Sequence, residues 1–342
     1  MNGLDLARSP DLYPQKIDLV REAALVVPFS QQAYRAASFL DDRILSASMR
    51  ASWLTFTQLQ QAAQGTGSGL PLHFIFHAGH VGSTLLSRLL DEAGALGLRE
   101  PLPLRTLAEV NDALDAPESL LSRAQFDHIL EITLRLWSRG YADNRAVIVK
   151  ATSTTGRLAP ALLAARPQAK TVYLNLAIEP YLATLLAGPN AIFDLRGFAS
   201  ERMRRLHKLA GKTGIVLHTL SLGKLAAMTW LTERLTQASA ERSGGERVLL
   251  VDFDHFLADR TAGLGQILSH FGLPADAQTV ARLADSPTLN RYSKAPDQYA
   301  YGDAVRAQAM GQARREHAAE IGGALAWLER LGAQNAVIGA VL

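Results

Sequence analysis

The stretch His73-Phe74-Ile75-Phe76-His77-Ala78-Gly79-His80-Val81-Gly82-Ser83-Thr84-Leu85-Leu86-Ser87-Arg88-Leu89-Leu90 constrains the fold more than any other part of the chain. Its apolar run to Phe76 reads as a buried strand, and Leu85, Leu86, Leu89 and Leu90 recur at helical spacing on one face. Between them stands a short turn carrying Gly79 and Gly82. A strand that enters a helix through such a turn points several backbone N–H groups at one spot and sets the positive end of the helix dipole there. Anions bind at such places, phosphate most often. Ser83 and Thr84 stand where hydroxyls would add donors to the backbone cradle. A tight turn with no ligand fits this stretch equally well, so the rest of the chain has to decide.

Four more apolar runs follow it. Ala95-Leu96-Gly97-Leu98-Arg99-Glu100-Pro101 is a second short strand ending in a turn, because the residue before proline resists helix. Ala146–Lys150, Thr171–Leu176 and Arg247–Asp252 are the third, fourth and fifth strands. Helical pattern fills the intervals, over about Glu118–Trp137, Leu225–Leu235 and Ala262–Phe271. Strands alternating with helices predict an α/β domain of three layers, a mainly parallel sheet flanked by helices and joined by right-handed crossovers. Lys150, at a strand end before Thr152, Ser153, Thr154 and Thr155, suits an anion site at the carboxyl edge of such a sheet. Residues 1–68 form a preface: Tyr13-Pro14 reads as loop, Ala24–Val27 as a short apolar run, and helical pattern extends through Phe39-Leu40 and Trp53-Leu54. We expect a helical N-terminal cap over 1–68, joined through the Gly65–Gly69 stretch to a main domain over 69–342.

Composition narrows the function classes. A formal charge of +3 over 342 residues, with no block of Lys/Arg, gives no basis for nucleic-acid binding. The densest basic cluster, Arg202-Met203-Arg204-Arg205 with His207-Lys208, reads first as a solvated helix face, with an anion site as the alternative. The chain has no cysteine, which excludes disulfides, thiolate metal sites and a thiol nucleophile. His73, His77 and His80 cluster, but the first two straddle a strand and its turn, and no metal is expected; His73 and His77 read as structural, His80 as the one in the site. Met1–Lys16 is polar and proline-bearing, unlike a signal peptide, and no apolar run approaches the ~20 residues of a membrane span.

The glycine loop departs from the nucleotide-triphosphate P-loop, which needs Gly, four residues, then Gly-Lys-Ser/Thr. Here two residues separate Gly79 from Gly82, and no lysine precedes Ser83-Thr84. The run His80-Val81-Gly82-Ser83-Thr84-Leu85-Leu86 instead resembles the 5′-phosphosulfate loop of the sulfotransferase family, a P-loop fold, with His80 at the family's Arg or Lys position. Further landmarks follow in the family's order. They are Glu100-Pro101, Lys150, the strand to Asp252 before Phe253-Asp254-His255-Phe256, Phe271-Gly272-Leu273-Pro274, and Arg291-Tyr292-Ser293-Lys294, where the family returns a loop over the nucleotide. The resemblance spans roughly residues 72 to 300, and its strength lies in order and not in any single motif.

It implies transfer of a sulfuryl group from 3′-phosphoadenosine-5′-phosphosulfate to a hydroxyl or amine, with no metal required. Gly79, His80, Val81, Gly82, Ser83, Thr84, Leu85, Arg291 and Lys294 would bind the donor. Glu100 resembles the carboxylate base of the tyrosylprotein branch, and Lys150 and His80 would act on the developing charge. The animal Golgi members carry a membrane anchor, so the resemblance points instead to a soluble, bacterial, cytoplasmic relative; self-association is a weak expectation. One landmark is missing: Ile178 and Leu186 fall where the family puts the Arg and Ser that bind the 3′-phosphate, and Arg196, Arg202 or the Arg291–Lys294 loop would have to compensate. A P-loop phosphotransferase, with Asp252 as a magnesium-holding aspartate, is the rival enzyme reading; a non-catalytic nucleotide-binding module is the third. Nothing in the chain separates a carbohydrate, lipid, peptide or small-alcohol acceptor.

Overall fold

The computed structural model describes residues 6–7, 9–114, 116–188, 190–295, 300 and 302–342. Within the first part of the chain lie strands β1 (Leu12–Asp18), β2 (Ala23–Pro28) and β3 (Ser52–Thr55); the main sheet is built from β4 (Leu72–His77), β5 (Ala95–Arg99), β6 (Ala146–Lys150), β7 (Thr171–Asn175) and β8 (Val248–Asp252). The main sheet runs in the order β5-β6-β4-β7-β8 and every pairing in it is parallel. All five strands expected from the apolar runs are present.

The order fixes where a ligand can sit. Strand β4 is central, and the chain leaves it first toward β5 and β6, then crosses to β7 and β8. In open α/β sheets a crevice forms at the carboxyl end of the strand where the winding reverses. Here that strand is β4, and its end is the glycine loop. Strands β4, β5 and β6 are buried along their whole length, as expected when helices cover both faces. Alternation along β4 divides the core: Ile75 packs with Leu89, Val172, Leu231 and Leu268 on one side, while Phe74 and Phe76 pack with Leu104, Val149 and Tyr173 on the other.

The N-terminal cap is not helical. Strands β1, β2 and β3 form an antiparallel sheet, accompanied by the short helix Gln31–Ala36 and the helix Phe56–Gln64. Tyr13-Pro14 is strand, not loop: Pro14 lies on edge strand β1 beside a register shift between Pro14 and Lys16, where a missing N–H is tolerated. Trp53-Leu54 is also strand, and Phe39-Leu40 is irregular chain. Leu40 donates its N–H to the Arg99 carbonyl (2.7 Å), which binds this segment to the end of β5. Arg139, almost wholly buried, secures the chain start by donating to the carbonyls of Ser9 (2.6 Å) and Leu12 (2.9 Å).

Two helical readings also change. The helix expected from Glu118 begins at Arg123, because Ser122 and Gln125 form a capping box there. An unforeseen helix, Leu102–Ala113, starts directly after Pro101 with Pro103 in its first turn, where a missing N–H costs nothing. The Arg202–Lys208 cluster is not wholly a solvated face. In the helix Ala199–Ala210, Arg202 and Arg205 turn inward and are buried; Arg202 pairs with Asp194 (2.7 Å) and Arg205 with Glu233 (2.8 Å). Among the described residues no helix is long and apolar enough to cross a membrane.

His73, at the start of β4, makes this fold acid-sensitive. Its ring stacks on Phe271, and Nδ1 accepts the Lys170 N–H (3.1 Å). Burial, then the nearby Lys170 charge, pushes its pKa from the usual 6.5 down to about 4. A depressed folded-state pKa means that the unfolded chain binds more protons between those values, so stability is full above about 6.5 and falls as pH drops toward 4. At ~1.4 kcal/mol per unit the contribution is ~3 kcal/mol. His73→Gln should lessen the fall of the denaturation midpoint between pH 6.5 and 4, leaving the part due to His77 and His80; an unchanged slope would assign the acid sensitivity elsewhere.

Candidate functional site

The glycine loop is held from behind by His77. Its Nε2 lies 2.8 Å from the Ala151 carbonyl and its Nδ1 accepts the Gly79 N–H at 3.0 Å. Those two bonds require the proton on Nε2, and burial with the Lys150 charge depresses the pKa far enough to keep the ring neutral. Beyond it the backbone turns through left-handed conformations at Gly79 (φ 89°), His80 (56°) and Gly82 (71°). Gly82 is required for a second reason: a Cβ there would lie 2.0 Å from the Phe253 ring. The loop then opens into the helix Ser83–Glu92, whose first N–H groups have no capping side chain. Ser83 and Thr84 are buried in this first turn, and Thr84 Oγ1 has no hydrogen-bond partner.

A cleft of about 380 Å³ opens over this turn. His80, Val81, Gly82, Ser83, Thr84 and Leu85 form its floor, Glu100 and Lys150 one end, and Arg291, Ser293 and Lys294 an overhanging strap. The residues selected from sequence therefore meet in one place, except Gly79, whose N–H is engaged by His77 and which does not line the cleft. Arg196, Arg202, Ile178 and Leu186 do not line it either, so neither distant arginine replaces the missing pair. The helix Ile178–Leu186 contributes Thr184 instead, its hydroxyl bonded to the Pro180 carbonyl at 2.8 Å. Asp252 is turned away: its carboxylate caps the next helix by accepting the N–H groups of Asp254 (2.9 Å) and His255 (3.0 Å).

Glu100 and Lys150 end adjacent strands and form a direct ion pair. The Lys150 side chain is 1% exposed and Glu100 15%. Burial lowers the Lys150 pKa and the Glu100 charge opposes that shift. Thr152 Oγ1 donates to the second Glu100 oxygen (3.4 Å), and the Glu100 N–H donates to the Lys150 carbonyl (2.6 Å). Glu100 is itself left-handed (φ 52°). A non-glycine residue held there costs of order 1–3 kcal/mol and marks sites where the surrounding structure fixes a geometry. Arg99 does not pair with it; that guanidinium faces Asp91 and donates to the carbonyls of Tyr34 (2.7 Å) and Ala37 (3.0 Å).

His80 is not a cation at neutral pH. Its residue keeps exposed surface, yet it lines the cleft and the surrounding protein displaces part of its water. That desolvation, with the Lys294 charge, pushes its pKa from 6.5 down to about 4. Positive charge comes instead from Lys150 below and from Arg291 and Lys294 above. Arg306, which sequence reasoning missed, adds to it: on the helix Asp303–Glu316 it lines the cleft, bonded to Asp254 (2.6 Å) and 5.6 Å from the Phe253 ring centre. Its only sequence signal was a basic residue shortly beyond the strap.

The strap is tied down by Arg88, on the outer face of the loop helix. Its Nε donates to the Ser293 carbonyl (2.8 Å), and its terminal nitrogens to the carbonyls of Arg35 (3.0 Å) and Ala36 (3.2 Å) and to Ser38 Oγ (2.9 Å). Ser38 Oγ in turn donates to the Lys294 carbonyl (2.9 Å).

No protein-family model matches the chain, and no curated protein does. Solved structures do. Sulfotransferase STF9 from Mycobacterium avium aligns over 77% of this chain and 79% of its own, at 14% identity and a TM-score of 0.38. The sulfotransferase domain from the curacin biosynthetic pathway aligns over 73% of this chain and 99% of its own, at 14% identity and 0.37. Mouse sulfotransferase SULT7A1, solved in complex with PAP, aligns over 67% and 68%, at 13% identity and 0.36. Similarity at this level is in general arrangement only, and the fold stands on the strand order of this chain.

Proposed function

We propose that this chain transfers a sulfuryl group from 3′-phosphoadenosine-5′-phosphosulfate to a hydroxyl or amine of an acceptor. The observation that carries the reading is a convergence within one cleft: an uncapped helix N-terminus with two buried hydroxyls, a strap bearing Arg291 and Lys294, and a buried Glu100–Lys150 pair. The orphaned Thr84 hydroxyl and the first N–H groups of the helix fit a phosphosulfate, which presents only acceptor oxygens. Arg291, Lys294 and Arg306 supply cations for the donor's other anionic end, a duty that Ile178 and Leu186 cannot perform. His80, neutral, acts as a hydrogen-bonding wall and not as a charge.

In the transfer, the acceptor oxygen or nitrogen forms a bond to sulfur while the bond from sulfur to the 5′-phosphate oxygen breaks. Glu100 takes the acceptor's proton, and the leaving phosphate oxygen takes the electron pair. Lys150 and the loop N–H groups stabilise the charge that grows there, which lowers the barrier because the interaction strengthens along the reaction. Glu100 is suited to the base role because its carboxylate keeps a fixed direction between Lys150 and Thr152. A carboxylate base is the feature shared with the tyrosylprotein branch of the family.

Adenosine-3′,5′-bisphosphate, the product nucleotide, should raise the melting temperature without magnesium. At a hundredfold excess over Kd the gain is ~2.7 kcal/mol. A shift given only by ATP with magnesium would transfer the site to a phosphotransferase. No shift with either nucleotide would sink the donor assignment and leave the non-catalytic module.

A further inference from the structure

We infer that the acceptor is anionic: it binds in a cationic groove beside Glu100 and carries a carboxylate or phosphoryl group near the hydroxyl that reacts. The inference rests on the sulfuryl-transfer reading for the reaction, but the groove is a separate observation. Two adjoining cavities of about 500 and 450 Å³ share Asp112, Arg157, Arg205 and Lys208 as walls. They lie between the helix Leu102–Ala113, the 3₁₀ turn Ser153–Leu158 and the helix Ala199–Ala210. The first two of these elements leave the carboxyl ends of β5 and β6, the same strand ends that carry Glu100 and Lys150.

Proximity to the base follows from the chain. Thr154, in the groove wall, is two residues beyond Thr152, whose hydroxyl bonds Glu100. Two residues span at most ~7 Å. The groove therefore begins within one small molecule's length of Glu100.

Its walls carry Arg105, Arg123, Arg157, Arg204, Arg205 and Lys208 against the carboxylates of Glu109, Asp112, Glu118 and Glu201, an excess of cations. Arg157 pairs with Asp112 (2.6 Å) and Glu201 (3.3 Å), Lys208 turns to the same Asp112 (3.6 Å), and Arg205 is committed to Glu233. One carboxylate thus serves two cations. Arg204 in one cavity and Arg123 in the other have no carboxylate partner among the described residues; the contact of Arg123 is the Phe126 ring. Arg205 is 5% exposed and is engaged within the protein: it donates to Glu233 and to Thr236 Oγ1 (3.1 Å), and its Nε lies 3.8 Å from Glu201. The guanidinium groups of Arg123 and Arg204, with no carboxylate partner, are the ones that offer a fork to carboxylate or phosphoryl oxygens. A neutral lipid or simple phenol would leave this field unanswered.

The test is calorimetric titration of the full chain with para-nitrophenyl β-glucuronide and para-nitrophenyl β-glucoside, which differ in a carboxylate against a hydroxymethyl. Glucose 6-phosphate against glucose provides the phosphoryl arm. The anionic member of at least one pair should bind about tenfold or more tightly, a difference of ~1.4 kcal/mol. The preference should shrink at high salt and vanish in Arg123→Ala/Arg204→Ala, whose side chains are exposed, Arg123 touching only the edge of the core at Phe126. Preference in the first pair assigns a carboxylate, in the second a phosphoryl group. Equal affinities, no binding, or a preference that survives the double variant overturns the inference. Titrations run with and without adenosine-3′,5′-bisphosphate separate the two readings. An anion preference with no nucleotide binding leaves the groove and removes the donor; nucleotide binding with no preference does the reverse.

Discussion

Gly82→Val is expected to abolish nucleotide binding and to lower global stability by several kcal/mol. The sequence offers only one cause, a branched side chain blocking an anion's approach to the backbone. The geometry adds two that act without any ligand. Residue 82 has φ 71°, a region that β-branched residues rarely enter, at a cost of order 1–3 kcal/mol. A Cβ would also stand 2.0 Å from the buried Phe253 ring, so that ring and its neighbour Phe256 must move. Overpacking of this kind costs typically ~1–3 kcal/mol more. Against a total stability of ~5–15 kcal/mol the two together are severe. Urea denaturation of Gly82→Ala alongside Gly82→Ala/Phe253→Ala distinguishes the terms. With Phe253→Ala as the reference, the double variant should lose less than the sum of the two single losses, the difference being the overlap, and the strain at φ 71° should remain. Loss of nucleotide binding at unchanged stability would restore the simpler explanation.

Glu100→Gln should lower turnover by ~10²–10⁴-fold with nucleotide binding retained, the usual loss for a general base. The neutral amide keeps an oxygen that can accept from Lys150, so the pair remains hydrogen-bonded while its proton affinity is lost. Glu100→Ala should behave differently. It strands the ammonium of Lys150, 1% exposed, without a partner, and breaking a buried pair costs ~3–5 kcal/mol. Single-turnover sulfation together with a denaturation midpoint separates the two variants: Gln should lose rate and little stability, Ala should lose both. Undiminished turnover in Glu100→Gln would remove Glu100 from the chemistry.

What the sequence could reveal here follows from the range of the interactions. Apolar runs such as Phe74–Phe76 and Val147–Val149 declare buried parallel strands because both faces are covered, and Gly79 and Gly82 declare a turn because few residues can take their φ. The cap was misread because its pairings are not local. Strand β2 pairs with β3 across a long segment, and Pro14 hides β1 until its edge position is known. Arg205 reads as solvated in the sequence because Glu233, its partner, lies on another helix and no periodicity links them. His80 looked like a candidate cation until the cleft walls and Lys294 were seen around it. Arg306 enters the cleft through tertiary folding alone.

The Arg88 cluster carries a consequence for the order in which the molecule is made. Arg35, Ala36 and Ser38 emerge first during synthesis, Arg88 next, and Ser293 and Lys294 near the end, yet all of them meet at one guanidinium and one hydroxyl. A nascent chain can complete the sheet once β8 has emerged, but it has no roof over the loop until Lys294 follows and no Arg306 until later still. The cleft is therefore finished only in chains whose early and late segments have found each other.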